Sequence, residues 1–93
     1  MREIERSNQF KRDYKRELKG RRGKTLPDEL IAVVELLAND QPLPSKYRDH
    51  ALSGNFSGYR DLHVRPDLVL IYAKPDAQTL QLVRLGSHSE LFD

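Results

Sequence analysis

The 93-residue sequence predicts a single α+β domain, residues 1–93, in the order β-α-α-β-β-β. Two N-terminal helices cover one face of a small, mainly antiparallel four-stranded sheet. Three observations carry this reading. Phe10, Tyr14 and Leu18 recur at helical spacing, and Leu30, Val33, Val34 and Leu37 do so again after a glycine-containing break. Residues 58–72, GYRDLHVRPDLVLIY, read as two strands about a tight turn. The connections among the last three strands are short, which favours an antiparallel meander.

Each element has its own grounds. Residues 2–6 form a short first strand with Ile4 as its one strongly apolar residue, and its place in the sheet is open. Ser7 is an N-cap for the first helix. Gly20 and Gly23 end that helix and open a mobile loop. Thr25-Leu26-Pro27-Asp28-Glu29 starts the second helix, with proline in the first turn and acids beside the positive end of the dipole. Ile31 and Leu36 widen its apolar stripe, and Asn39-Asp40 closes it. Residues 40–53 contain Pro42, Pro44 and a polar run, and read as a loop crossing the molecular edge.

The central hairpin follows. Tyr59, Asp61 and His63 point to one face of its first strand, and Arg60, Leu62 and Val64 to the other. Arg65-Pro66-Asp67 supplies the turn. Residues 68–72 are apolar throughout, as in a strand covered on both faces. Residues 75–78 turn the chain into the last strand, 79–85, and residues 86–93 finish as a turn and short tail.

Composition narrows the function classes. No apolar run is long enough to cross a bilayer, and the charged N-terminus lacks a secretory segment. Cysteine is absent, which removes disulfides and thiolate metal sites and fits a cytoplasmic protein. Charge is segregated. Residues 1–25 hold ten bases and four acids, net +6, while the rest hold six and ten, net −4. Such a segment attracts polyanions, nucleic acid above all, although charge alone favours a solvated helix face.

The chemistry-bearing residues are His50, His63 and His88, with Asp61 and Asp67 nearby. Asp61 and His63 lie on one strand face, about 7 Å apart at Cα, and form a candidate acid/base pair. A half-exposed strand pair accounts for the same residues. Asp67 is explained by its turn, His50 and His88 by solvent-facing loops, and Arg60 and Arg84 by surface ion pairs. Phe92 either plugs the core or stacks on a base. A metal site from the three histidines and a carboxylate is conceivable, but neither HxH nor HExxH spacing is present.

Three blocks, residues 42–50, 52–67 and 86–92, resemble YafQ-type toxins of the RelE/ParE superfamily, in the same order and at similar spacing. The resemblance covers essentially the whole chain, and in the two N-terminal helices it lies in character only. It implies a RelE-like microbial ribonuclease fold. It also implies an endoribonuclease that cuts messenger RNA on the translating ribosome and is silenced by a DinJ-like antitoxin. It assigns His50, His63 and His88 as active-site histidines, Asp61 and Asp67 as active-site acids, and Phe92 as the aromatic residue near the C-terminus. Arg84 then faces the phosphate, and Lys11, Arg12, Lys15, Arg16 and Lys19 contact ribosomal RNA. Neither metal nor organic cofactor is required. Leu68 departs from the family, whose members often carry tryptophan there, so packing beneath the site is expected to differ. The first helix is also unusually basic. Two other readings compete: a toxin of the same fold that blocks a protein such as gyrase, and a non-enzymatic nucleic-acid-binding module.

Overall fold

In the computed structural model, which describes residues 1–21 and 23–92, the central strand is β4, Leu68–Ala73, and every residue in it is buried. The chain runs β1 (Glu3–Arg6), α1 (Asn8–Leu18), α2 (Leu26–Ala38), β2 (His50–Ala51), β3 (Arg60–Arg65), β4, β5 (Thr79–Gly86) and α3 (His88–Phe92). The strands form one sheet in the order β1-β5-β4-β3-β2. β1 lies parallel to β5, with Glu3 opposite Thr79 and Arg6 opposite Leu82. The other pairings are antiparallel.

Three features differ from the sequence expectation. The sheet has a fifth strand, because His50 and Ala51 pair with Asp61 and Arg60 inside what reads as a loop. Two residues are too few for a period to show. The chain after Gly86 is a helix rather than a tail. Ile31 is 55% exposed and does not widen the stripe of α2. Leu36 does pack on the core. Arg22 of the expected mobile loop and Asp93 of the expected tail lie outside the described residues.

The all-apolar β4 is explained by two cores. On one face, Phe10 of α1 and Leu26, Val33 and Leu37 of α2 pack against Leu62, Leu70, Leu80 and Leu85. On the other face, Val69 and Ile71 meet Leu91 of α3, with Leu52, Phe56, Tyr59 and Phe92 around them. Leu68 belongs to the helix-covered core, so the family departure at that position changes packing on the face away from the histidines.

β1 covers β5 only as far as Leu82. Beyond that point side chains of the α1 N-cap and of its second turn take the place of a strand. The Ser7 hydroxyl donates to the Val83 carbonyl at 2.7 Å and also caps α1 by accepting from the Phe10 N–H at 2.9 Å. Asp13, fully buried, accepts from the Leu85 N–H at 3.0 Å. The edge groups of β5 are thereby satisfied without a neighbouring strand.

Candidate active site

The sheet register places the site residues in rows. His50 is opposite Asp61, Asp61 opposite Ile71, and Ile71 opposite Arg84. One step along, His63 is opposite Val69 and Val69 opposite Gly86. Directly opposed residues share a sheet face, so both rows lie on the face that α3 covers. Gly86 then hands the chain to Ser87 and His88. Residues far apart in sequence are thus delivered to one region by strand pairing alone.

His63 and His88 meet there, with ring centroids 5.9 Å apart. His88 also stands 4.9 Å from the Phe92 ring, one helical turn along α3. Phe92 is held in turn by Phe56, edge to face at 5.6 Å, in the turn between β2 and β3. Gly54 and Gly58, at φ 66° and 92°, permit that turn. Phe92 is therefore half plug and half wall: it packs on the second core and borders His88.

Asp61 lies beneath the histidines and is completely buried. Both of its oxygens lack a hydrogen-bond partner among the described residues. The His50 Nδ1 is 3.1 Å from its Oδ1, but hydrogen-bond geometry goes to the Arg48 carbonyl at 2.9 Å. Burial pushes the Asp61 carboxyl above the usual carboxylate range, and the charges of His50, His63 and His88 pull against that rise. All three imidazoles therefore share one buried acid. The His63 Nδ1 faces the Pro66 carbonyl at 3.2 Å. When that nitrogen carries the proton, Nε2 is left as a free acceptor.

Asp67 is exposed in the turn of the hairpin, beside the Pro66 carbonyl that faces His63. Arg84 is on the site face, but its Nε donates to Asp13 at 2.8 Å around the outer edge of β5. Lys11, Arg12, Lys15 and Lys19 are exposed on α1. Arg16 is not simply one of them: its Nη2 donates to the Leu85 carbonyl at 2.8 Å. Next to His63, a groove of about 570 Å³ opens between the β3 edge and α2, lined by Asp28, Lys46, Tyr47 and Pro66 among others. Among the described residues, no three histidine or carboxylate side chains are placed to hold a metal ion together.

Two features escaped the sequence reading. Ser87 and Glu90 form a reciprocal capping box, with the Ser87 N–H donating to Glu90 Oε1 at 2.9 Å and the Glu90 N–H to Ser87 Oγ at 3.2 Å. Ser-x-x-Glu was legible and marks α3. Asp13 had no such signal, since its partners Arg84 and Leu85 lie at the other end of the sequence.

Comparison with known proteins agrees with this architecture. The model of the family described as bacterial toxin of type II toxin-antitoxin system, YafQ, matches residues 2–93. The mRNA interferase toxin YafQ of Escherichia coli K12 is 42% identical over 91 residues, covering 98% of this chain and 96% of that protein. The toxin in the E. coli DinJ-YafQ complex superposes with a TM-score of 0.86 at 39% identity, covering all of both chains. A metal-bound toxin from Helicobacter pylori has a TM-score of 0.85 at 48% identity, over 99% of this chain and 100% of that one.

Proposed function

This chain belongs to the YafQ family of bacterial toxins of type II toxin-antitoxin systems, and we propose that it is an endoribonuclease that cuts mRNA on the ribosome. The observation that carries this is the pair of accessible imidazoles, His63 and His88, over a buried carboxylate. A relative named as an mRNA interferase supports the substrate. The three clustered histidines favour it over a gyrase-blocking toxin, which needs no proton-transfer groups.

RNA brings its own nucleophile. One imidazole, His63 or His50, takes the proton of a 2′-OH. The 2′-oxygen attacks the adjacent phosphorus, and the bond from phosphorus to the 5′-oxygen breaks. His88 gives a proton to that leaving oxygen. The products are a 2′,3′-cyclic phosphate and a 5′-hydroxyl. Asp61 lies buried below the rings, and its carboxyl feels the charge of all three imidazoles. Asp67 orients the hairpin turn beside His63. The free N–H groups of Arg84 face the phosphoryl oxygens, Phe92 stacks on a base beside His88, and Lys11, Arg12, Lys15 and Lys19 dock on ribosomal RNA. No step requires a metal. The cognate antitoxin is a DinJ-like protein, as in the E. coli complex, and the toxin acts in the cytoplasm.

Transcript 5′ ends mapped after brief expression test the reading. Cuts should appear only in translated messages and end in 5′-hydroxyls. A 5′-phosphate product, or equal cutting of untranslated RNA, would overturn the 2′-OH route or the ribosome requirement respectively. His63→Ala and His88→Ala should each slow cleavage by about 10²–10⁴-fold and leave the fold intact by circular dichroism.

A further inference from the structure

We infer that Asp13, Arg16 and Glu90 are positioning residues for His88, tying α1 to the short helix that carries it. What His88 does rests on the nuclease reading above. How His88 is held rests on geometry alone.

α3 has five residues, too few to keep a helical shape unaided. Leu91 anchors one side of it in the second core. The other side is held by one guanidinium. The Nη1 of Arg16 reaches Asp13 Oδ1 at 3.1 Å and its Nη2 donates to the Leu85 carbonyl at 2.8 Å, while its Nε donates to Glu17 Oε2 at 3.1 Å and lies 3.4 Å from Glu90 Oε2, close enough to pair with its charge. Glu90 is the same carboxylate whose other oxygen closes the capping box on Ser87. A buried acid in α1, the end of β5 and the start of α3 thus converge on Arg16. Gly86 sits within this knot: a Cβ there would meet Arg16 Nη2 at 2.9 Å and Glu90 Oε1 at 3.2 Å.

The Arg16 and Glu90 side chains are 41% and 42% exposed, so their pairing adds little to global stability. Its effect is directional. The fork of arginine fixes Glu90, and with it the rotation of α3 that aims the His88 ring at His63. A lysine supplies charge at one point and cannot span Asp13, the Leu85 carbonyl and Glu90 together. Misplacing a reacting group by about 1 Å can cost about 10²-fold in rate.

Arg16→Gln, Arg16→Lys, Glu90→Gln and the Arg16→Gln/Glu90→Gln double variant decide the matter. The assays are single-turnover cleavage of ribosome-bound mRNA, and NMR of the free toxin for the His88 ring signals and amide exchange over residues 88–92. We expect Arg16→Gln and Arg16→Lys both to lower the maximal rate by about 10–100-fold. The half-saturating ribosome concentration should move less than about twofold, and the double variant should be no slower than Arg16→Gln. The His88 signals should shift, and residues 88–92 should exchange faster. Full rescue by lysine, or a loss confined to half-saturation with α3 unchanged, would show Arg16 to be an RNA contact instead. If the unaltered toxin cuts no RNA, the nuclease reading fails, while the NMR arm still tests the tether. Asp13→Asn is a harsher variant that risks the fold, so the conclusion stands on Arg16 and Glu90.

Discussion

Asp61 and Asp13 are both fully buried carboxylates, and their surroundings push them in opposite directions. For Asp13, burial alone would raise the carboxyl, but the bonds from Arg84 and the Leu85 N–H outweigh it and hold it below the ordinary value. An acid lowered by folding contributes stability above its unfolded value, and that contribution is lost as pH falls through the folded one. Asp61 has the reverse sign. Its carboxyl is raised, so the native state binds the proton more tightly, and stability falls as pH climbs from the ordinary carboxylate range through the raised value. Asp61→Asn should therefore raise the melting temperature at neutral pH while suppressing cleavage, and should flatten the pH dependence of melting above pH 4. For a chain of this length, each ~1 kcal/mol gained moves the midpoint by about 4–8 °C. A lower midpoint for Asp61→Asn at pH 7 would show that the carboxylate is stabilising as an ion. At this scale residue type alone singled out the three histidines and Asp61 as candidates, and only the family resemblance drew them into one site. Alternation along 79–85 puts Arg84 on one face with Leu80 and Leu82, but a register shift where β4 meets β5 turns it to the face of Ile71, and Leu85 joins Leu80 and Leu82 in the helix-covered core instead. Its tie to Asp13 was not legible either, because nothing local in Asn8–Leu18 marks Asp13 as different from its charged neighbours.

At the level of elements, the amphipathic helices and the 58–72 hairpin could be read from period and turn chemistry, and the structure has them at nearly those bounds. Short elements were hidden for a physical reason. β2 is only a continuation of the β3 edge, and α3 is a capping box with one buried leucine. Neither carries enough residues to show a repeat. Their stability comes from what they touch, so substitutions there should uncouple activity from folding. Ser87→Ala removes one half of the capping box, a loss of about 1 kcal/mol in helix terms, and should fray residues 88–92 in amide exchange while the β4 amides keep their protection. The connection between α1 and α2 behaves differently. A Cβ on Gly23 would lie 1.9 Å from the Leu18 carbonyl oxygen, which is backbone and cannot swing aside. Gly23→Ala should destabilise the whole domain by about 1–3 kcal/mol in urea unfolding, with helices and strands lost together.

For the molecule as a whole, two thin cores share one sheet, and neither could stand alone. Leu80 and Leu70 are completely buried in the larger. Leu80→Ala should cost about 2–5 kcal/mol, a large part of the ~5–15 kcal/mol expected of a small domain, and its urea midpoint should fall accordingly. Charge is also a property of the whole. The first 25 residues carry net +6 against a total of +2, so encounter with a polyanion is set by one end of the molecule. Reversing Lys11, Arg12 or Lys15 singly should weaken ribosome association and reduce its log-log salt slope by about 1 per residue. An unchanged slope would mean that α1 faces away from RNA. Antiparallel topology was readable because short connections dictate it. The docking of β1 on β5 was not, since a parallel partner can come from anywhere in the chain.

That docking has a consequence for synthesis. Glu3 is made well before Thr79, its partner in the sheet. Until residues 79–92 have left the exit tunnel, the opening strand has nothing to pair with, α1 has no edge to cover, and His88 is missing from the cleft. On the proposed nuclease reading, a half-made chain is inert, and its own message is read to the end before cleavage begins. Stalled nascent chains joined to the ribosome through a short spacer should show no cleavage in trans, and lengthening the spacer should switch it on.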